Sequence, residues 1–286
     1  MSRGVEPRGR RVARGTVVYT ALILIAFVNV FPLFWLITSS FKIGLELARV
    51  SLLPESFTLF NYLRAWTTSF PIYLFNSLKI TLISTFFVVM IGAAGAYSLS
   101  RFNYRGKDIV SRMVLLGYMF PSILLIVPLF VLFFRTSLVN THEGLIIAYV
   151  AWGLPFAMWL LIAYFNTIPS EIEEAARVDG CGNIGVFFRI MLPLSMPALA
   201  TISIFSFVHA WNEFLLSLVL ISSDALKPLA AGLYPQIGGS GTGSSEVYDW
   251  GVRMAAGTIV ILPALFFFLV FSRQIMGGLT AGAVKG

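Results

Sequence analysis

Glu171, Glu173, Glu174 and Asp179, with Arg177 among them, place four of the chain's thirteen acidic residues in the eleven positions SEIEEAARVDG, Ser170 to Gly180. A cluster this dense could serve chemistry or recognition. The other reactive side chains are sparse. His209 and Glu213 stand four apart in the run His209-Ala210-Trp211-Asn212-Glu213, which would put them on one helical face. Two ligands do not make a metal site, and no others accompany them. For Trp211, Asn212 and Glu213 a structural hydrogen bond to a neighbouring helix and a place on a pathway are equally open, and His209 is placed to partner Glu213. His142 falls in a different environment, and no serine motif lies near either histidine. The single cysteine, Cys181, excludes an intrachain disulfide and a Cys-pair metal site. No G-x-x-x-x-G-K-[ST] occurs. The stretch Gly238 to Ser245 lacks the lysine and reads as a flexible linker. Nothing here assembles a nucleophile, base and metal, so the chain is expected to bind no cofactor and to catalyse no covalent step.

The elements that must position these residues are set by hydropathy. The chain is 58% hydrophobic and 12% charged, with 26 Phe in 286 residues and a mean hydropathy of +0.86. Six apolar stretches approach the roughly 20 residues needed to cross a bilayer core: Val17–Ile37, Ile80–Leu99, Ile109–Phe134, Leu145–Phe165, Ala198–Ile221 and Met254–Phe271. They are continuous runs, not short alternating strands, so a barrel is excluded and an all-α membrane protein of six helices is expected. The basic leader, residues 1–16, would suit a signal peptide. The apolar run after it is too long for one and no A-x-A-like site follows, so a retained span is expected. With the N-terminus inside, thirteen of the twenty Lys and Arg fall on the cytoplasmic side. Both termini are then cytoplasmic. The net charge of +7 reflects topology and gives no argument for nucleic acid. The expected organisation is a six-helix domain over 17–273, interrupted by a cytoplasmic loop at 167–193, and a cytoplasmic tail at 274–286. Pro121 and Pro128 are expected to kink the third span.

Local signals give the loop a shape. Ser170 with Glu173 is a capping-box pattern, Pro169 marks the boundary, and acidic residues in the first turn suit the helix dipole. Ile172, Ala175 and Ala176 make a small apolar face, and Gly180 sits where the chain can turn left-handed. A second helix is expected from Asn183 as cap to Pro193, with Ile184, Phe187, Phe188 and Met191 as an apolar stripe. Such a pair can lie on lipid headgroups or dock another protein, and spacing alone leaves both open.

The run Glu174-Ala175-Ala176, then three residues, Gly180, nine residues and Ile190-Met191-Leu192-Pro193 fits E-A-A-x3-G-x9-I-x-L-P. It resembles the cytoplasmic signature loop of the membrane subunits of binding-protein-dependent ABC importers. Cys181 departs from the alanine that is frequent there. Asn76-Ser77-Leu78, Ala96 to Phe102, Phe165 to Pro169, Ala210 to Phe214 and the ending Gly278 to Gly286 are similar to the carbohydrate branch, in particular to its maltose-transporter-like second permease subunit. The resemblance implies type I importer architecture in a bacterial or archaeal cytoplasmic membrane. It implies a related second permease, two cytoplasmic ATPases that hold ATP and Mg, and an extracytoplasmic sugar-binding protein. Glu174, Ala175, Ala176, Asp179, Gly180, Phe187, Ile190, Leu192 and Pro193 would then couple to the ATPase. Gly278, Thr280, Gly282 and Lys285 would reach it from the tail. The alternative, an ion-gradient-driven transporter, needs intramembrane ionisable groups or inverted repeats, and Glu213 is essentially the one candidate.

Overall fold

The computed structural model describes residues 8–237 and 245–283, and among them there are helices and no strands. In chain order these are α1 Arg8–Ser40, α2 Phe60–Trp66, α3 Phe70–Arg101, α4 Lys107–Met119, α5 Ile126–Arg135 and α6 His142–Phe165. There follow α7 Ser170–Val178, α8 Asn183–Val186, a π turn Phe187–Met191, α9 Leu192–Leu194, α10 Met196–Asn212, α11 Leu215–Leu220, α12 Leu229–Ile237 and α13 Ser245–Ala283. Four helices are individually long and apolar enough to cross a membrane, within α1, α3, α6 and α13. The number reaches six if each of two bent pairs is counted as one span. One joins Lys107–Met119 to Ile123–Arg135 at 99°, the other Asn183–Leu194 to Met196–Asn212 at 78°.

The chain forms two compact units. One comprises Met1–Thr68 and Ser240–Val260. Inside it Asn61 donates to the carbonyls of Ser40 (2.9 Å) and Lys42 (2.7 Å), fixing the turn after α1. Lys42 is fully buried, with its ammonium on the Ser51 carbonyl and 4.8 Å from the Trp35 ring, which satisfies a charge that burial would otherwise penalise.

The other unit is Ser69–Gly239 with Ile261–Gly286. Its spine is α3 against α6, and small residues let the two backbones approach: a Cβ at Gly92 would lie 3.0 Å from that of Ala157, and one at Gly153 would lie 2.8 Å from Val88. Arg101, at the end of α3, donates to the carbonyl of Phe165, at the end of α6 (2.9 Å). Lys79, near the start of α3, lies 3.4 Å from His142, at the start of α6. The two spans are therefore parallel, and the chain must cross back between them. That return is α4 with α5.

The third and fifth spans are not the continuous helices that hydropathy suggests. The third breaks at Phe120 and Pro121, both extended, because proline pushes the residue before it out of the helical region. A simple kink was expected; the structure has a stop, a 3₁₀ turn at Ser122–Leu125 and a new helix. Pro128 sits in the first turn of that helix, where its missing N–H costs little. The fifth stretch, Ala198–Ile221, is divided at Glu213 into α10 and α11. It still runs from one end of the unit to the other. Ala198 and Leu199 pack in the cluster that holds Ala176, while the Asn140 amide donates to Leu220 O at the far end (2.7 Å).

Candidate functional site

The loop at the Arg101 end carries the sequence-predicted coupling residues. α7 starts at Ser170, but the capping box does not form, and no side chain caps the helix. Glu173 turns inward instead and is 2% exposed. One carboxylate oxygen pairs with Arg101 Nε. The other accepts from Tyr97 Oη at 3.1 Å and lies 3.8 Å from Arg177. A largely buried guanidinium is a stronger partner for the carboxylate than a backbone N–H that water can satisfy. Arg101 also donates through Nη2 to Phe165 O (2.9 Å) and Ile168 O (2.6 Å), at and just past the end of α6. Neither Arg101 nor Tyr97 was among the expected site residues. The signal was present, since Tyr97 and Arg101 are one helical turn apart, but their partner lies 72 positions from Arg101.

α7 ends as the glycine predicted. Gly180 has φ +86°, its N–H bonds Arg177 O (3.0 Å), and the Cys181 N–H bonds Ala176 O (3.0 Å), the two hydrogen bonds of a Schellman motif. The expected apolar face is split. Ala176 is buried, whereas Ala175 and Ile172 are exposed. Glu171, Glu174, Ala175 and Val178 (88% exposed) share the outward side, with Asp179 and Gly180 beyond it. The second helix differs more. Asn183 makes no cap, and the chain winds into the π turn Phe187–Met191 and continues past Pro193 to Leu194. The wider turn, just before a proline that supplies no N–H, splits the stripe. Phe187 and Met191 enter the core, while Ile184 (76%) and Phe188 (52%) face outward. Ile190 and Leu192 pack partly buried against that core, and Pro193 is exposed.

Glu213 occupies the break in the fifth span. Its carboxylate accepts from the Leu216 (2.9 Å) and Ser217 (3.2 Å) amides, the open N–H groups of α11, and from Tyr149 Oη (3.1 Å). A carboxylate at a helix N-terminus satisfies donors and dipole together. His209 lines a small cavity with Glu213 but makes no hydrogen bond to it among the described residues, so the expected His209–Glu213 pair is not formed. Trp211 is buried and stacks on Phe207 (5.7 Å), and Asn212 donates to Val208 O. A cavity of about 270 Å³ beside them is lined by Tyr118, Trp152, Phe156, Ser206 and His209, among others. Among the described residues no group of three metal-ligating side chains occurs.

At the opposite end of the same unit the loop after α11 is tied to the start of α3. Asn76 donates to Ala225 O (2.9 Å) and Lys227 O (3.0 Å), and Ser77 accepts from the Leu229 amide (2.7 Å). The Asn76-Ser77 pair is thus a clamp. His142 Nε2 meets Leu226 O (3.0 Å), and Asn140 accepts from the Ser222 and Ser223 amides. Tyr73 donates to Asp224 (2.8 Å); with Lys227 second, it holds that carboxyl below its usual range. Of the tail residues, Gly278, Thr280 and Gly282 continue α13, which runs on to Ala283, and Lys285 lies outside the described residues.

Comparison with known proteins gives a consistent result. The family model described as "Binding-protein-dependent transport system inner membrane component" matches residues 88–276. The chain is 35% identical to the diacetylchitobiose uptake system permease protein NgcG of Streptomyces coelicolor, over 100% of this chain and 93% of that one. It is 36% identical to the trehalose/maltose transport system permease protein MalG of Thermococcus litoralis, over 92% and 94%. Among solved structures, a bacterial ABC transporter involved in the import of the acidic polysaccharide alginate has a chain of the same fold: TM-score 0.82, 23% identity, 94% of this chain and 98% of that one.

Proposed function

Because this chain belongs to the family of binding-protein-dependent transport system inner membrane components, we propose that it is the maltose-transporter-like second permease subunit of an ATP-driven importer for a sugar or oligosaccharide. It spans the membrane as a multi-pass, non-catalytic subunit of an ABC importer. The sugar reading is supported by relatives whose names specify diacetylchitobiose and trehalose/maltose. In the proposed assembly a related permease forms the other half of the path, in the cytoplasmic membrane of a bacterium or archaeon. Two cytoplasmic ATPases bind ATP and Mg, and an extracytoplasmic binding protein delivers the sugar.

The observation that carries this reading is the outward face of the 167–193 loop. α7 presents Glu171, Glu174, Ala175 and Val178, and Ile184 and Phe188 extend the apolar surface, while the other side of the loop is buried in the bundle. That arrangement suits a short helix seated in a cleft of another protein: small and apolar contacts at the centre, with carboxylates to meet basic groups at the rim. ATP-driven closure of the two ATPases would displace the seated helices and rock the permeases from inward to outward access. The test is purification of the tagged chain from its native membrane. An ATPase and a second permease in stoichiometric amount are expected, both lost with Gly180→Pro. Recovery of this chain alone, active in gradient-driven uptake, would overturn the reading.

A further inference from the structure

We propose that Arg101, Glu173 and Tyr97 form a strut that transmits displacement of α7 into the transmembrane spans, and that these are positioning residues for energy coupling. The inference rests on α7 being the helix that docks the ATPase.

Little else holds α7. It is nine residues long, too short to be stable alone, and residues 166–169 join it to α6. On the side facing the bundle its buried residues are Glu173 and Ala176. Ala176 offers one methyl group. Glu173 offers directional hydrogen bonds to Arg101 and Tyr97, both on the last two turns of α3, and an ion pair at 3.8 Å with Arg177 of its own helix. Arg101 also donates through Nη2 to Phe165 O and Ile168 O, so a single guanidinium joins the end of α3, the end of α6 and the first turn of α7.

Tyr97 braces this joint from below. Its ring lies 6.2 Å from Phe165 at 83°, 5.5 Å from Phe102 at 84° and 5.2 Å from Phe187 of the π turn. The carboxylate is thus held by groups that are themselves fixed. Such a joint resists shear because sliding α7 by even an ångström would break both hydrogen bonds that tie the Glu173 carboxylate, whose side chain is 3% exposed, to α3. An apolar joint, by contrast, lets side chains slip past each other. A helix that must be pushed and pulled by a partner needs the first kind.

The distinguishing result is a loss of transmission without a loss of assembly. The experiment uses the purified full complex in proteoliposomes, in a Cys181→Ser background with Ser222→Cys as a reporter at the opposite end. The readouts are Mg-ATP hydrolysis and the maleimide labelling rate of that cysteine with and without Mg-ATP. In the parent complex ATP is expected to alter the labelling rate. Glu173→Gln and Arg101→Gln should keep hydrolysis and subunit stoichiometry while reducing the ATP-dependent change by about tenfold, a typical size for a lost coupling energy. Tyr97→Phe, which removes one hydrogen bond and keeps the ring, should reduce it less. The double exchange Arg101→Glu with Glu173→Arg should recover part of it.

Labelling as ATP-responsive in Glu173→Gln, Arg101→Gln and Tyr97→Phe as in the parent would overturn the strut. So would a parallel fall in hydrolysis, labelling change and bound ATPase, which would make the cluster a folding determinant alone. If Tyr97→Phe assembles when the charge variants do not, its response decides by itself. A parent complex that contains no ATPase would instead strike the function proposed above, and the two failures are thereby separate.

Discussion

At the residue scale, Gly180 acts through its backbone. A side chain there meets no neighbour within 4 Å, yet φ of +86° puts any L-residue in strain. Gly180→Ala is therefore expected to loosen the α7 stop by about 1 kcal/mol and weaken ATPase retention, and Gly180→Pro to abolish it, both measured as ATPase recovered with the tagged chain. Glu213 makes a different prediction. Its charge is engaged by two amides and Tyr149, so Glu213→Gln should lower the thermal midpoint modestly, by about 1 kcal/mol of stability, with uptake preserved. Loss of all uptake at unchanged thermal stability would assign that charge to transport instead. Asp224 supplies a pH dependence. Its carboxyl is held low by Tyr73 and then Lys227, so its contribution is fully present above the ordinary aspartate range and lost as pH falls through the depressed folded value. Amide exchange in the 224–229 loop should accelerate over that acid window and not in Asp224→Asn. Because Asp224 is largely exposed, the effect should be small.

At the scale of elements, the α3–α6 pair depends on close approach. Gly153→Val would drive its Cβ into Val88, whose nearest methyl stands 2.8 Å away. A loss of about 1–3 kcal/mol is expected from overpacking, read as a lower thermal midpoint, with partial recovery when Val88→Ala is added. Failure of that recovery would mean the contact is not what separates the helices. The breaks in the third and fifth spans also belong to this scale. Pro121 announces the first directly, through the extended residue it imposes at Phe120. The second has no proline or glycine at Glu213. There the break exists because a carboxylate in an apolar stretch is more stable holding the open amides of a new helix than standing unpaired on a continuous one.

At the scale of the molecule, parallel α3 and α6 give the second unit two distinct ends. One gathers Arg101, Phe165 and α7; the other gathers Asn76, His142 and the 222–229 loop. Charge asymmetry predicts that the first end is cytoplasmic, and Cys181 can test it. As the single cysteine, half-buried beside Gly180, it should react with a membrane-impermeant maleimide in inverted vesicles and not in intact cells. Bound ATPase should slow that reaction. Labelling from outside the cell would reverse the topology and remove α7 from the side where ATP is found.

Class and the apolar spans were legible in the sequence because lipid imposes a strong one-dimensional rule: apolar runs of sufficient length become spans. The signature spacing from Glu174 to Pro193 and the left-handed turn at Gly180 were equally legible, since both depend on residues close in the chain. What the tertiary structure decided is which side chains face each other across it. Glu173 reads locally as a capping residue, and only the arrival of Arg101 and Tyr97 from the parallel span turns it inward. The apolar stripe from Ile184 to Met191 reads as one face, and only the π turn before Pro193 splits it between core and surface. A local signal states what a residue can satisfy nearby; burial beside a stronger distant partner determines what it does satisfy.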